Sequence, residues 1–199
     1  TYTNTRKQGT LQVKKTWVNA HVGDTASISV TGIANAASAG LNSTADSANE
    51  TDSGGVITMY AGETANFSES VSPSANYTSG FSCSVATETS AKVGGDSYTM
   101  PSTPVNVICT YTNTRKSATL QLKKQWANAK VGDTASLTAT GLVNSAAVAL
   151  NSTADTANDL DAGSAVTVFA GEVATLSETV NPAANYTSTG PVCTGTSGL

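Results

Sequence analysis

The chain repeats itself, and the period limits what it can fold into. Thr1-Tyr2-Thr3-Asn4-Thr5-Arg6-Lys7 recurs letter for letter as residues 110–116. With that offset of 109 held, residues 1–79 and 110–188 agree without a gap at 49 of 79 positions. Solenoid repeats run to about 20–50 residues and cannot bury a core alone. A period of 109 instead suits one small β-sandwich per repeat, closed on its own core. The phase adds a boundary. If the shared heptapeptide is a closing strand, residues 1–7 finish a preceding domain or act as a donor strand. Residues 8–116 then form a complete repeat, and 117–199 a second repeat lacking its last strand. The chain begins mid-phrase and without Met, as an excerpt of something longer or processed does. The join at Thr114-Arg115-Lys116-Ser117 holds neither Gly nor Pro, so an elongated rod of closely held domains is expected.

Composition agrees with an all-β reading. Thr, Ser, Ala, Gly, Asn and Val dominate, and only 12% of residues are charged and 6% aromatic, which is poor material for helices. A net charge of -4 argues against nucleic acid as a partner, since phosphate binding needs clustered Lys and Arg. No run reaches the apolar length of a membrane span.

Period-two alternation marks the strands. Leu11, Val13, Lys15 and Trp17 share a face; so do Ala26, Ile28 and Val30, and Ile57 with Met59. Ala65, Phe67, Glu69 and Val71 form another set, as do Val105, Val107, Cys109, Tyr111 and Asn113. Gly23-Asp24, Gly54-Gly55, Gly62, Pro73 and Gly94-Gly95-Asp96 punctuate the gaps. The stretch from Ala34 to Asp52 reads as loop and irregular strand, its Ala-rich start also compatible with a short helix.

Three polar residues break the apolar faces: Lys15, Glu69 and Asn113. The second copy repeats two of them, Lys124 beside Leu120, Leu122 and Trp126, and Glu178 between Leu176 and Val180. Lys and Glu are almost never fully buried unless paired. Burial disfavours charge, so a buried Lys tends to lose its proton and a buried Glu to keep one. A neutral amine is a nucleophile and the Asn amide an electrophile, and a protonated Glu between them can shuttle protons while ammonia leaves. The product is a Lys–Asn isopeptide bond between first and last strand. The residues equally allow a buried Lys–Glu ion pair hydrogen-bonded to Asn. Lys14 is the competing nucleophile, because a bulge would reverse the facing; strand parity favours Lys15.

The order of Lys15 in the opening strand, Phe67-Ser68-Glu69, Pro73 with Asn76-Tyr77, and the closing Tyr111-Thr112-Asn113-Thr114 resembles the CnaB-type domains of bacterial surface adhesins and pilins. These have a SpaA-like, prealbumin-like fold, and the likeness covers essentially the whole repeat. The resemblance implies tandem Ig-like, CnaB-like antiparallel β-sandwiches with Lys15 as nucleophile, Glu69 as proton shuttle and Asn113 as acceptor. In the second repeat Lys124 and Glu178 match, and an Asn4-like residue from another copy completes the set. Cysteines and the high Thr, Ser and Ala content depart from the family pattern; the cysteines suggest a different bacterial lineage, a Gram-negative one among the options, and put sortase-type assembly in doubt.

Cys83 and Cys109 fall on adjoining predicted strands of one repeat, and Cys193 corresponds to Cys83 with one residue inserted. One disulfide per repeat is expected, with the partner of Cys193 outside the chain. Such a bond adds about 3 kcal/mol and implies an oxidising compartment. No metal-ligand spacing or cofactor motif is visible. His21, the sole histidine, is replaced by Lys130 in the second copy and reads as a turn residue. Asp24 and Asp133 follow Gly in a turn, where Asp caps backbone N–H groups. Leu41 to Asp46 recurs identically at 150–155; it reads as a hydrogen-bonded turn, and lacks the carboxylates of a calcium loop. Asn42, Asn49, Asn66 and Asn76 open Asn-x-Ser/Thr triplets, a by-product of composition in a bacterial protein.

Together these readings point to a structural repeat of an extracellular, cell-surface stalk, fibre or pilus-like filament. Its partners are adjacent repeats or copies of itself, head to tail, with host or surface ligands bound elsewhere in a longer protein. Single-turnover self-crosslinking is the only chemistry expected, so the chain is not read as an enzyme. The alternative is an adhesin module that binds glycan or host protein through loops 34–52. Within them Leu41 to Asp46 is identical in both copies, which favours the scaffold.

Overall fold

The computed structural model describes residues 1–85, 88–92 and 96–195, with side chains for 1–85 and 96–195. It is all-β and divides into two compact units, Thr1–Arg115 and Lys116–Leu199. The Gly94-Gly95 turn read from the sequence lies outside the described residues.

Unit 1 contains β1 (Gln8–Val18), β2 (Thr25–Thr31), β3 (Leu41–Thr44), β4 (Glu50–Tyr60), β5 (Thr64–Ser72), β6 (Tyr77–Val85), β7 (Glu88–Lys92), β8 (Ser97–Thr99) and β9 (Asn106–Arg115). They form a five-stranded sheet, β4-β1-β9-β6-β7, and a four-stranded sheet, β3-β2-β5-β8. Leu11, Val13, Met59, Val107 and Cys109 from the first meet Ile28, Val30, Ala65 and Phe67 from the second in one buried cluster. Each strand has one apolar face, and closing the two sheets on each other removes both from water. The first and last long strands are direct neighbours: β1 and β9 pair in parallel, Lys15 opposite Tyr111 and Trp17 opposite Asn113. β6 flanks β9 antiparallel, which sets Cys83 directly against Cys109.

Strand β1 keeps strict alternation, with Leu11, Val13, Lys15 and Trp17 buried and Gln12, Lys14 and Thr16 partly exposed. The pairing with β4 does slip, from Gln12↔Val56 to Lys14↔Ser53. The extra residue belongs to β4, at Gly54-Gly55. That pair is therefore not a gap between strands, as its composition suggests, but a bulge inside one. A side chain at Gly54 would press on the Val13 carbonyl, its Cβ 3.3 Å away. β1 ends where Asn19 turns into the left-handed region at φ 55°, which Asn tolerates better than most residues.

The stretch after Ala34 is more regular than its sequence suggests: a 3-10 turn at Ala36–Ser38, then β3, paired with β2. Leu41–Thr44 is thus a strand rather than a turn.

Unit 2 repeats part of this plan. Its strands are β10 (Ser117–Leu120), β11 (Lys123–Gln125), β12 (Thr134–Thr140), β13 (Ala149–Thr153), β14 (Leu160–Ala162), β15 (Val166–Phe169) and β16 (Thr175–Asn181). β12 lies between β13 and β16, as β2 lies between β3 and β5. β10 pairs with β15 and β11 with β14, the two halves of the β1–β4 ladder. Among the described residues nothing takes the places of β6 and β9, and residues 187–195 form no strand. The consequence is looser packing: Leu120, Leu137 and Leu176 are only partly buried, where Leu11, Ile28 and Phe67 are buried in unit 1.

Candidate functional site

Lys15, Glu69 and Asn113 come together inside unit 1. Lys15 and Asn113 are fully buried, and the Glu69 side chain, from the facing sheet, is 4% exposed. Lys15 Nζ lies 3.6 Å from Glu69 Oε1, and Asn113 Nδ2 donates a 3.1 Å hydrogen bond to the same oxygen. The amine also donates to the Thr16 carbonyl at 3.0 Å and sits over the Trp17 ring, 3.7 Å from its centroid. Asn113 Oδ1 is buried without a hydrogen-bond partner. Lys14, one residue from the pocket, faces the other way.

Burial drives the electrostatics. Desolvation lowers the Lys15 pKa to about 8, against the opposing pull of Glu69 and Asp52. It also raises that of Glu69 above the usual carboxylate range, although Lys15, Asn113 and Ser79 oppose the rise. At neutral pH roughly a tenth of the Lys15 amines are therefore uncharged, and the acid beside them is biased toward keeping its proton. A half-turn of the Asn113 amide would put its orphaned Oδ1 on that acid, the contact needed to polarise the carbonyl.

Unit 2 shows the same residues without the closing strand. Lys124 Nζ and Glu178 Oε1 are 2.8 Å apart, with side chains 16% and 24% exposed. Burial works to raise the Glu178 pKa, but hydrogen bonds from Lys124 and Ser188 win and lower it. This is an ordinary ion pair. The difference between the units follows what covers the pair: β6 and β9 shut out water in unit 1. Asn4, named from the sequence as an acceptor for another copy, is exposed and in no strand, as is Tyr2, although their twins Asn113 and Tyr111 are buried.

Cys83 and Cys109 form a disulfide, with Cα atoms 4.0 Å apart; Cys193 is an exposed free thiol. His21 sits at a turn, its backbone N–H donating to the Tyr77 hydroxyl at 3.2 Å. The Asp24 carboxylate, which the sequence reads as a cap for backbone N–H groups, accepts the Tyr77 hydroxyl at 2.5 Å. Tyr186 and Asp133 repeat that bond in unit 2. Gly23 and Gly132 take φ of 96° and 94°, which only glycine adopts freely. Among the described residues, no group of three or more His, Cys, Asp or Glu gathers as a metal site would need.

Sequence reasoning missed two sets of polar partners. Ser79 and Ser188 bond the two glutamates. Trp17 donates through its indole N–H to Ser43, which donates to Asp52. Both sets recur at the offset of 109, the one signal that could have exposed them.

No protein-family model and no curated protein matches the chain.

Proposed function

We propose that the chain is a structural repeat of a tension-bearing bacterial surface fibre, and that unit 1 closes itself with a Lys15–Asn113 isopeptide bond. The observation that carries this reading is the meeting of a buried amine and a buried carboxamide on one oxygen of a buried carboxyl group. In the reaction, the lone pair of neutral Lys15 Nζ attacks Asn113 Cγ while Glu69 protonates the carbonyl oxygen. The Nζ–Cγ bond forms and the Cγ–Nδ2 bond breaks. Glu69 relays the proton shed by Nζ to Nδ2, which leaves as ammonia. Atoms balance, Glu69 ends as it began, and each unit reacts once. The disulfide supports an oxidising, extracellular setting, and the resemblance of the motifs to CnaB-type domains supports the cell surface.

Intact-mass measurement tests the reading directly. The mature chain is expected to be lighter than its sequence by one ammonia, beyond the two hydrogens lost to the disulfide, with Lys15 and Asn113 found in one crosslinked peptide. A chain that keeps its ammonia would reduce unit 1 to a disulfide-stapled sandwich.

The repeat extends the reading to unit 2. A strand of the 110–116 sequence, presented by an adjoining copy through residues 1–7, would lie beside β11 and set Asn4 against Lys124 and Glu178 by strand addition. Denaturing gels should then show a ladder that Asn4→Ala abolishes; monomer alone would dismiss this extension.

A further inference from the structure

Both units carry a second polar chain beside the lysine, outside the Lys–Glu–Asn set. In unit 1 the Trp17 indole N–H donates to Ser43 Oγ at 2.7 Å, and the Ser43 hydroxyl donates to Asp52 Oδ2 at 2.6 Å. In unit 2, Trp126 donates to Ser152 at 2.7 Å and Ser152 to Asp161 at 2.5 Å. Ser43 and Ser152 are buried. The carboxylates are aligned with the amines: Asp52 is directly opposite Lys15 across the β1–β4 ladder, and Asp161 opposite Lys124. The indole faces carry the amines, with Nζ 3.7 Å from the Trp17 centroid and 4.5 Å from that of Trp126.

A buried indole N–H needs one acceptor, and a serine hydroxyl alone provides it. Backing that serine with a carboxylate, across from a buried amine, is more than packing requires. We propose that Trp17, Ser43 and Asp52 are positioning residues for the Lys15 amine, and Trp126, Ser152 and Asp161 for that of Lys124. The carboxylate fixes the hydroxyl, the hydroxyl fixes the rotation of the indole, and the indole face holds the end of a side chain with four rotatable bonds. The negative face of the ring attracts the ammonium, so the amine is parked in place before it loses its proton. Among the described residues the charged groups acting on Lys15 are Glu69 from β5 and Asp52 from β4; Tyr111 stands opposite Lys15 on β9, and the Trp17 ring and the Thr16 carbonyl meet the amine from β1.

This inference rests on the clamp reading, and one experiment separates the two. The 199-residue chain is made in a short cell-free pulse under oxidising conditions, quenched at intervals over a range of pH, and weighed intact. Ser43→Ala should slow the loss of ammonia about tenfold, the scale expected when a reacting group is left loosely placed. Ser43→Thr, which keeps the hydroxyl, should recover most of the rate. Asp52→Asn preserves shape and should move the midpoint of the rate–pH curve down by about half a pH unit, since one negative charge no longer favours the ammonium. Formation of the Cys83–Cys109 disulfide at the parental rate marks variants that fold normally. Folded Ser43→Ala and Asp52→Asn chains that lose ammonia at the parental rate and pH would overturn the proposal. If the parent loses none, the clamp reading fails instead, and NMR titration of the free Lys15 ε-carbon decides the positioning role. A lower midpoint in Asp52→Asn supports it, and an unchanged midpoint overturns it.

Discussion

Replacing Lys15 with Met and Glu69 with Gln together separates a covalent clamp from an ion pair by the sign of its effect. If the two residues only pair, substituting neutral groups of similar volume is commonly neutral or stabilising by about 1–4 kcal/mol, because two charges no longer have to be desolvated. If the bond forms, the substitution removes a crosslink. Lys15 and Asn113 enclose 97 residues, but the Cys83–Cys109 bridge short-circuits part of that loop and leaves roughly 70 residues of free chain. Loop-closure entropy for such a length is about 4.4 kcal/mol. At about 4–5 °C per kcal/mol for a unit of this size, the double variant should melt roughly 20 °C below the parent. Scanning calorimetry of the oxidised chain is suitable, the transition that moves being that of unit 1. A variant as stable as the parent, or more so, would refute the clamp and leave the ion pair.

Two further outcomes are expected. An Asn113→Ala chain cannot crosslink and keeps Lys15 free, with a pKa lowered to about 8 by burial against an ordinary value near 10.5 in the unfolded chain. The unfolded state then holds the extra proton, so stability should rise from pH 8 to 10 by about 2–3 kcal/mol. Denaturant titrations across that window check it, and a flat profile contradicts the buried amine; above pH 10 the buried Tyr77 and Tyr111, both raised by desolvation, act in the opposite sense. Replacing Cys83 and Cys109 with Ala should cost about 3.5 kcal/mol for the 26-residue separation, while the ammonia-deficient mass persists; loss of that mass would show that the clamp depends on the bridge.

Much of the site was legible because of parity. Lys15 faces inward since β1 alternates without interruption, and the one irregularity nearby falls in β4. Glu69 and Asn113 were legible for the same reason, Glu69 lying between buried Phe67 and partly buried Val71 and Asn113 following buried Cys109 and Tyr111 in the same alternation. Legibility failed where faces are small and polar. β6 contains Thr78-Ser79-Gly80 and Ser82 among its apolar residues, so its period is faint, and β3 is four residues long with one buried side chain, Ser43. Gly54-Gly55 reads as a turn by composition, yet it serves the sheet as a bulge. The Trp17–Ser43–Asp52 chain joins three strands, and no periodicity within a strand can reveal it. Only the comparison of two copies, position by position, carries that information.

The parallel register of β1 and β9 has a mechanical consequence. The start of β1 and the end of β9 lie at opposite ends of a shared ladder that runs from Thr10↔Asn106 to Val18↔Thr114. Tension applied at the two ends of unit 1 therefore slides one strand lengthwise against the other, loading the hydrogen bonds in shear and together rather than one at a time. A covalent link between Lys15 and Asn113 would bridge this same seam. The pull would pass straight from one strand to its neighbour, and the residues between them would hang as an unloaded loop.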